Sequence, residues 1–138
     1  MEQKFIEIFT GFSDNYGQAD MQRLEIDPIS QKQKPEYRWV QRKITDQAYL
    51  DHLKGTISIG IQPCNEKNKA RFGAIDVDPN EYQAFDKKFY LDKIKEYNLP
   101  LIPILSKSGG LHLYIFTKDF VGASIIRSFL TNLIPIFN

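Results

Sequence analysis

The stretch Arg71-Phe72-Gly73-Ala74-Ile75-Asp76-Val77-Asp78 restricts what this chain can fold into more than any other. Residues 72–77 read as a short buried β-strand, apolar and closed by a turn at Pro79-Asn80. Asp76 and Asp78 break that apolar run. Residues two apart on a strand share a face, so the sequence predicts two carboxylates side by side at the strand's C-terminal end. Like charges that close cost several kcal/mol unless a cation sits between them. A hard divalent ion, Mg²⁺ or Mn²⁺, prefers such oxygens and leaves room for substrate phosphates. Asp76 and Asp78 are therefore candidate metal ligands, against the plainer reading of a solvated strand end.

The rest of the sequence narrows the class. With 138 residues, 42% of them hydrophobic, the chain is long enough to bury a core. A net charge of +1 gives no global field for nucleic acid, so any such binding must come from local patches. The single cysteine, Cys64, excludes a disulfide framework and a cysteine-based zinc site, and fits a reducing cytoplasm. No run approaches the ~18 apolar residues of a membrane span, and the first residues lack a signal-peptide layout. The expectation is a soluble cytoplasmic protein.

Read in order, residues 2–9 predict a short helix with Phe5, Ile6 and Phe9 on one side, stopped by Gly11. Residues 11–30 are turn-rich and give no clear element. Residues 31–43 carry Lys32, Lys34, Arg38, Arg42 and Lys43 against Glu36, with Tyr37 and Trp39 interleaved. Cations mixed with rings suit a phosphate backbone and stacked bases, which makes Lys34, Arg38, Trp39, Arg42 and Lys43 candidate nucleic-acid contacts. The competing reading is a solvated strand or loop with Trp39 turned to the core. Thr45 caps a helix over residues 46–53 with Tyr49, Leu50 and Leu53 inward, and Gly55 ends it. His52 beside that stripe reads as an interfacial core residue. Residues 56–61 predict a strand in which Gly60 permits close backbone approach.

After the aspartates, residues 81–97 predict a helix using Phe85, Phe89, Ile94 and Tyr97. Residues 101–105 predict a strand that tolerates Pro103 only near a sheet edge. Ser106-Lys107-Ser108-Gly109-Gly110 is a turn, and residues 111–116 are the return strand. Residues 120–133 predict a helix with Ile125, Ile126, Phe129 and Leu130 inward, closed by Pro135. The fold class is α+β: an N-terminal α/β module over residues 1–70, then strand, helix, strand, strand, helix over 71–138. That order is the first five elements of the βαββαβ ferredoxin-like, or RRM-like, unit. There the first and third strands are central neighbours, so His112 and Asp78 meet at one edge beneath the glycine turn. The glycines allow amides to converge on an anion. A metal–polyphosphate site follows.

At this point the motifs resemble a known family. Phe72-Gly73-Ala74-Ile75-Asp76-Val77-Asp78 with Ser106-Lys107-Ser108-Gly109-Gly110-Leu111-His112 resembles the archaeo-eukaryotic primase superfamily, above all the primase-polymerase domain of TOTE conflict systems. Phe9-Thr10-Gly11-Phe12, Tyr16-Gly17, His52-Leu53-Lys54-Gly55 and Ile59-Gly60-Ile61-Gln62-Pro63 agree with it. The resemblance implies a metal-dependent nucleotidyltransferase that makes or extends a primer from nucleoside triphosphates. It implies single-stranded DNA or primer–template as partner, and a helicase or nuclease domain of the same system. Asp76 and Asp78 match the metal-binding motif. Ser108 and His112 match the motif that grips the triphosphate, helped by Ser106, Lys107, Gly109 and Gly110. The family's third acid, on a later strand, has no counterpart: Asp119 is expected to begin a helix and Asp92 to lie on a helix surface. The chain thus reads as the front part of a primase core. Two other classes compete: a different Asp-x-Asp metal-dependent transferase, such as one using a nucleotide sugar, and a non-catalytic nucleic-acid-binding module.

Overall fold

The computed structural model describes residues 2–26, 28–29, 33–79, 85–106 and 109–137. The chain divides into two compact units, Met1–Lys67 and Asn68–Asn138. Among the described residues there are four α-helices and two three-stranded antiparallel sheets, a mixed architecture compatible with α+β.

In the first unit, helix α1 (Glu2–Ile8) is followed by β1 (Tyr16–Ile26), β2 (Gln33–Val40), α2 (Asp46–Leu53) and β3 (Ile57–Gly60). The sheet order is β2-β1-β3. β1 is a correction: the turn-rich reading of residues 11–30 gave no strand there. Its buried side chains are only Tyr16 and Ala19, and its last five positions are exposed, so no apolar alternation marks it. α2 follows its sequence signals closely. Thr45 accepts the Ala48 N–H at 3.3 Å, and Gly55, at φ +76, terminates the helix with its N–H on the His52 carbonyl. Tyr49 is buried and donates its hydroxyl to the Phe9 carbonyl at 3.2 Å, tying the end of α1 to α2. Leu53 was expected inward and is exposed. His52 stacks on Phe5, with centroids 6.0 Å apart, as an interfacial residue would.

In the second unit the elements are β4 (Lys69–Val77), α3 (Lys87–Glu96), β5 (Ile102–Leu105), β6 (Leu111–Gly122), α4 (Ala123–Leu133) and a 3₁₀ turn (Ile134–Phe137). The sheet order is β4-β6-β5, so β6 is central and Pro103 lies on an edge strand, where its missing N–H is tolerated. The expected helix start at residue 81 lies outside the described residues. The described helix begins at Lys87, with Asp86 as its cap, and Phe85 packs on the core from before it. β6 runs six residues past its expected end at Phe116, to Gly122, which places Asp119 in a strand and not at a helix start.

Alternation divides the second sheet cleanly. Val77, Leu111 and Leu113 belong to the face that meets Ile126, Leu130 and Leu133 of α4, Tyr90 of α3, Leu101 and Phe137. Each buried aliphatic contributes about 1.5–3 kcal/mol of transfer free energy. Gly73 permits the close approach of α4: a Cβ there would come within 2.7 Å of Ile126 Cγ2 and 3.0 Å of Leu130 Cδ1. Ile126, Leu130 and Leu133 are the inward stripe, while Ile125 (65% exposed) and Phe129 (38%) face away, against expectation. The opposite sheet face carries the rows Asp76–His112–Ile104, Ala74–Tyr114–Ile102 and Phe72–Phe116.

Candidate functional site

Asp76 and His112 are cross-strand partners on β4 and β6, with His112 Nε2 3.4 Å from Asp76 Oδ1. Strand pairing alone brings together two residues 36 positions apart in the chain. The Asp76 side chain is 76% exposed and so open to a ligand; the imidazole is 37% exposed. Asp78 follows β4 immediately and is half-buried.

Tyr114 stands one row along the same face, edge-on to His112 at 6.0 Å and stacked on Phe116 at 5.7 Å. Burial, and then the negative charge of Asp76, push its phenol above the ordinary 10.0, so it remains a neutral hydroxyl. Phe72 lies 6.4 Å from Tyr114 and 6.3 Å from Phe116. The face therefore passes from an acid–imidazole pair into a row of rings. Phe72 and Tyr114 were expected only as the exposed aromatics a nucleic-acid-binding module would show. Tyr114 was not placed at the nucleotide site, although period-two spacing from His112 marks it as a same-face neighbour.

The hairpin between β5 and β6 closes over this end of the sheet. Ser106 N–H donates to the Gly110 carbonyl at 3.0 Å, Gly110 N–H to Ser106 Oγ at 3.0 Å, and Gly109 N–H to the Ser106 carbonyl at 3.1 Å. Gly109 sits at φ +90, a conformation that suits glycine. A Cβ on Gly110 would run into the Val77 carbonyl and come within 2.9 Å of Pro79 Cδ, so only glycine lets the turn seat against the end of β4. Both glycine amides are engaged inside the turn, and an anion would have to displace those bonds. Lys107 and Ser108 lie outside the described residues.

Among the described residues, no group of three or more His, Cys, Asp or Glu side chains is arranged to hold a metal ion. Mg²⁺ commonly uses one or two carboxylates and completes its shell with water and substrate phosphates. Asp76 and Asp78 are of the ligand type such an ion uses, and among the described residues they form no prebuilt cage. Asp119 is no third member: Val121, two residues on, pairs with Ala70, whereas His112 pairs with Asp76, so Asp119 lies toward the other end of the sheet. Asp92 pairs with Lys88 on the surface of α3.

The basic and aromatic candidates of the first unit do not form one stripe. Lys34 and Arg38 fall on one face of β2 by alternation, and Trp39 on the other. Arg38 lines a recess with Asp20, Arg23 and Glu36, where the two acids balance the two arginines. Trp39 is 59% exposed and Tyr37 68%, so Trp39 is not turned to the core. Arg42 and Lys43 are exposed just beyond the end of β2.

No helix among the described residues is long and apolar enough to cross a membrane. A comparison with curated proteins finds no match. The family model of the TOTE conflict system archaeo-eukaryotic primase domain matches residues 5–137, which takes in both units and every candidate residue above. The chain belongs to that family.

Proposed function

We propose that this chain is a metal-dependent nucleotidyltransferase of the primase-polymerase kind, using nucleoside triphosphates to make or extend a primer on a single-stranded or primed template. The observation that carries the reading is the Asp76–His112 pair beneath a glycine hairpin, inside a family match spanning residues 5–137. The order β4-α3-β5-β6-α4 with β6 central supports reading this unit as the RRM-like half of a primase core, and the first unit as its N-terminal α/β module.

Asp76 and Asp78 would hold Mg²⁺ or Mn²⁺, which when bound neutralises the triphosphate and activates the attacking 3′-hydroxyl. His112 presents a ring nitrogen beside Asp76, where it can hydrogen-bond a phosphate oxygen and orient the triphosphate. Ser106, Lys107, Ser108, Gly109 and Gly110 are proposed triphosphate contacts, and Gly110 lets the turn seat against the end of β4. Tyr114, held neutral, can donate a hydrogen bond without adding negative charge near the phosphates. The system to which such a domain belongs would place it in the cytoplasm beside a helicase or nuclease. Primer extension on an oligonucleotide template with Mg²⁺ or Mn²⁺ tests this: incorporation should fall by on the order of 10²-fold or more in Asp76→Asn and in Asp78→Asn. Undiminished incorporation in both variants would refute the assignment.

A further inference from the structure

The first unit carries a feature that the charge pattern of its sequence obscured. Trp39 on β2 pairs with Gly17 on β1, and Gly17 pairs with Gly60 on β3. In the next row Tyr37 pairs with Ala19, and Ala19 with Ser58. Two large rings thus rise at one side of a floor whose open part is the Gly17–Gly60 pair, Ala19 in the next row being buried. Gly60 is exposed and Gly17 partly so, and neither ring stacks on another ring among the described residues. Gly17 and Gly60 are not at positive φ, and a Cβ on either would meet only ordinary contacts at 3.8 Å. Neither backbone conformation nor packing demands glycine in this pair. What the pair does provide is a shelf of bare backbone beside an indole.

We propose that this shelf, made by Trp39, Tyr37, Gly17 and Gly60, is a stacking platform for the bases of a single-stranded nucleic acid. Rings two residues apart on a strand stand about 6.6 Å apart, twice the rise of ~3.3 Å per residue. That is about twice the 3.4 Å repeat along one strand of duplex DNA, so the platform suits an extended, unstacked strand whose ring faces are open. Arg42 and Lys43, exposed where β2 ends and without ion pairs among the described residues, supply the phosphate attraction. Arg38, on the other face among Asp20, Arg23 and Glu36, has no part in it. The platform rests on, and deepens, the template-binding part of the proposed function, but it needs neither metal nor triphosphate.

Trp39 is the only tryptophan, so intrinsic fluorescence reports on the platform directly. The experiment titrates the full chain, in EDTA and without nucleotide, with oligo(dT) and separately with oligo(rU). Saturable quenching of Trp39 emission is expected, with the stronger arm identifying the sugar, and affinity should weaken as salt rises. Trp39→Ala, followed by anisotropy of a labelled oligonucleotide, should bind on the order of 10-fold more weakly. Gly60→Val keeps the tryptophan and suits a strand, yet fills the shelf; it should also bind about 10-fold more weakly with an unchanged melting temperature. Oligonucleotide binding that leaves Trp39 emission unaltered would overturn the proposal, as would the absence of binding at low salt. So would quenching by nucleoside triphosphate alone at the same concentrations, or a Gly60→Val protein that binds as well as the parent. The fluorescence arm uses the unaltered chain and decides the matter even if a variant fails to fold. A defect confined to Asp76 and Asp78 leaves all these readings intact, so this inference and the nucleotidyltransferase reading fail separately.

Discussion

In the unit Asn68–Asn138, Leu113 is wholly buried at the centre of the sheet, and Val77, Leu111, Ile126, Leu130 and Phe137 close around it as one apolar cluster. Among the described residues of the unit Met1–Lys67, the buried side chains are Tyr16, Ala19, Pro35, Ala48 and Tyr49, three small ones and two whose hydroxyls are polar. One sheet carries its chemistry on the back of a packed core; the other is thinly supported and presents rings and bare backbone. An acid–imidazole pair has to be held to within fractions of an ångström, which calls for rigid strands. A surface that accepts many bases has no such need, because stacking tolerates sequence and small displacements.

That contrast sets the scale of substitutions. Leu113→Ala should cost about 2–5 kcal/mol, measured by denaturant unfolding, since it opens a cavity in the middle of the cluster. Gly73→Val should cost about 1–3 kcal/mol by forcing α4 away from β4. In the first unit, Thr45→Ala should cost about 1 kcal/mol through the lost cap of α2. A loss at Thr45 as large as that at Leu113 would show that the thin unit is the one that limits stability.

Alkaline pH probes both units at once. The phenols of Tyr49 and Tyr114 lie above the ordinary 10.0, each chiefly through burial and then through a nearby carboxylate, Asp46 and Asp76 respectively. The folded state holds these protons more tightly than the unfolded chain. The resulting stability is fully present below the unfolded value and is lost as pH rises through the folded ones. Melting temperatures recorded from pH 8 to 11 should fall above about pH 10, and fall less in Tyr49→Phe and Tyr114→Phe. An unaltered slope in both variants would assign the loss to other groups.

How much of this could be read from residues alone depended on whether burial wrote a period into them. α2 was legible because Thr45, Asp46 and Gly55 each mark a boundary by local chemistry. That the end of β4 meets the start of β6 was legible because the order of strands leaves few ways to arrange them. Asp78, however, was expected against His112, whereas β4 ends at Val77 and the register pairs His112 with Asp76. β1 was not, since tyrosine and alanine are its only buried side chains and polar residues fill the rest. On α4, Ile125 and Phe129 form a stripe as apolar as Ile126, Leu130 and Leu133, and periodicity cannot choose between two adjacent stripes. Trp39 shows the same limit on a strand: hydrophobicity argued for the core, while the indole is 59% exposed in a row whose other members are Gly17 and Gly60. The smallest expected effect comes from that ambiguity. Ile125→Lys should change stability by no more than about 0.5 kcal/mol, whereas Ile126→Lys one residue away should be severely destabilising.

The proposed chemistry turns on Asp76 and Asp78 engaging a divalent ion together with a triphosphate. Isothermal calorimetry of nucleoside triphosphate into the full chain, with Mg²⁺, with EDTA, and with Asp76→Asn in Mg²⁺, measures this directly. Binding in Mg²⁺ should weaken about 10-fold or more both in EDTA and in the variant. The variant's melting temperature should hold, because the Asp76 carboxylate is 76% exposed. Equal affinity in Mg²⁺, in EDTA and in the variant would contradict a metal-bridged nucleotide site at the end of β4.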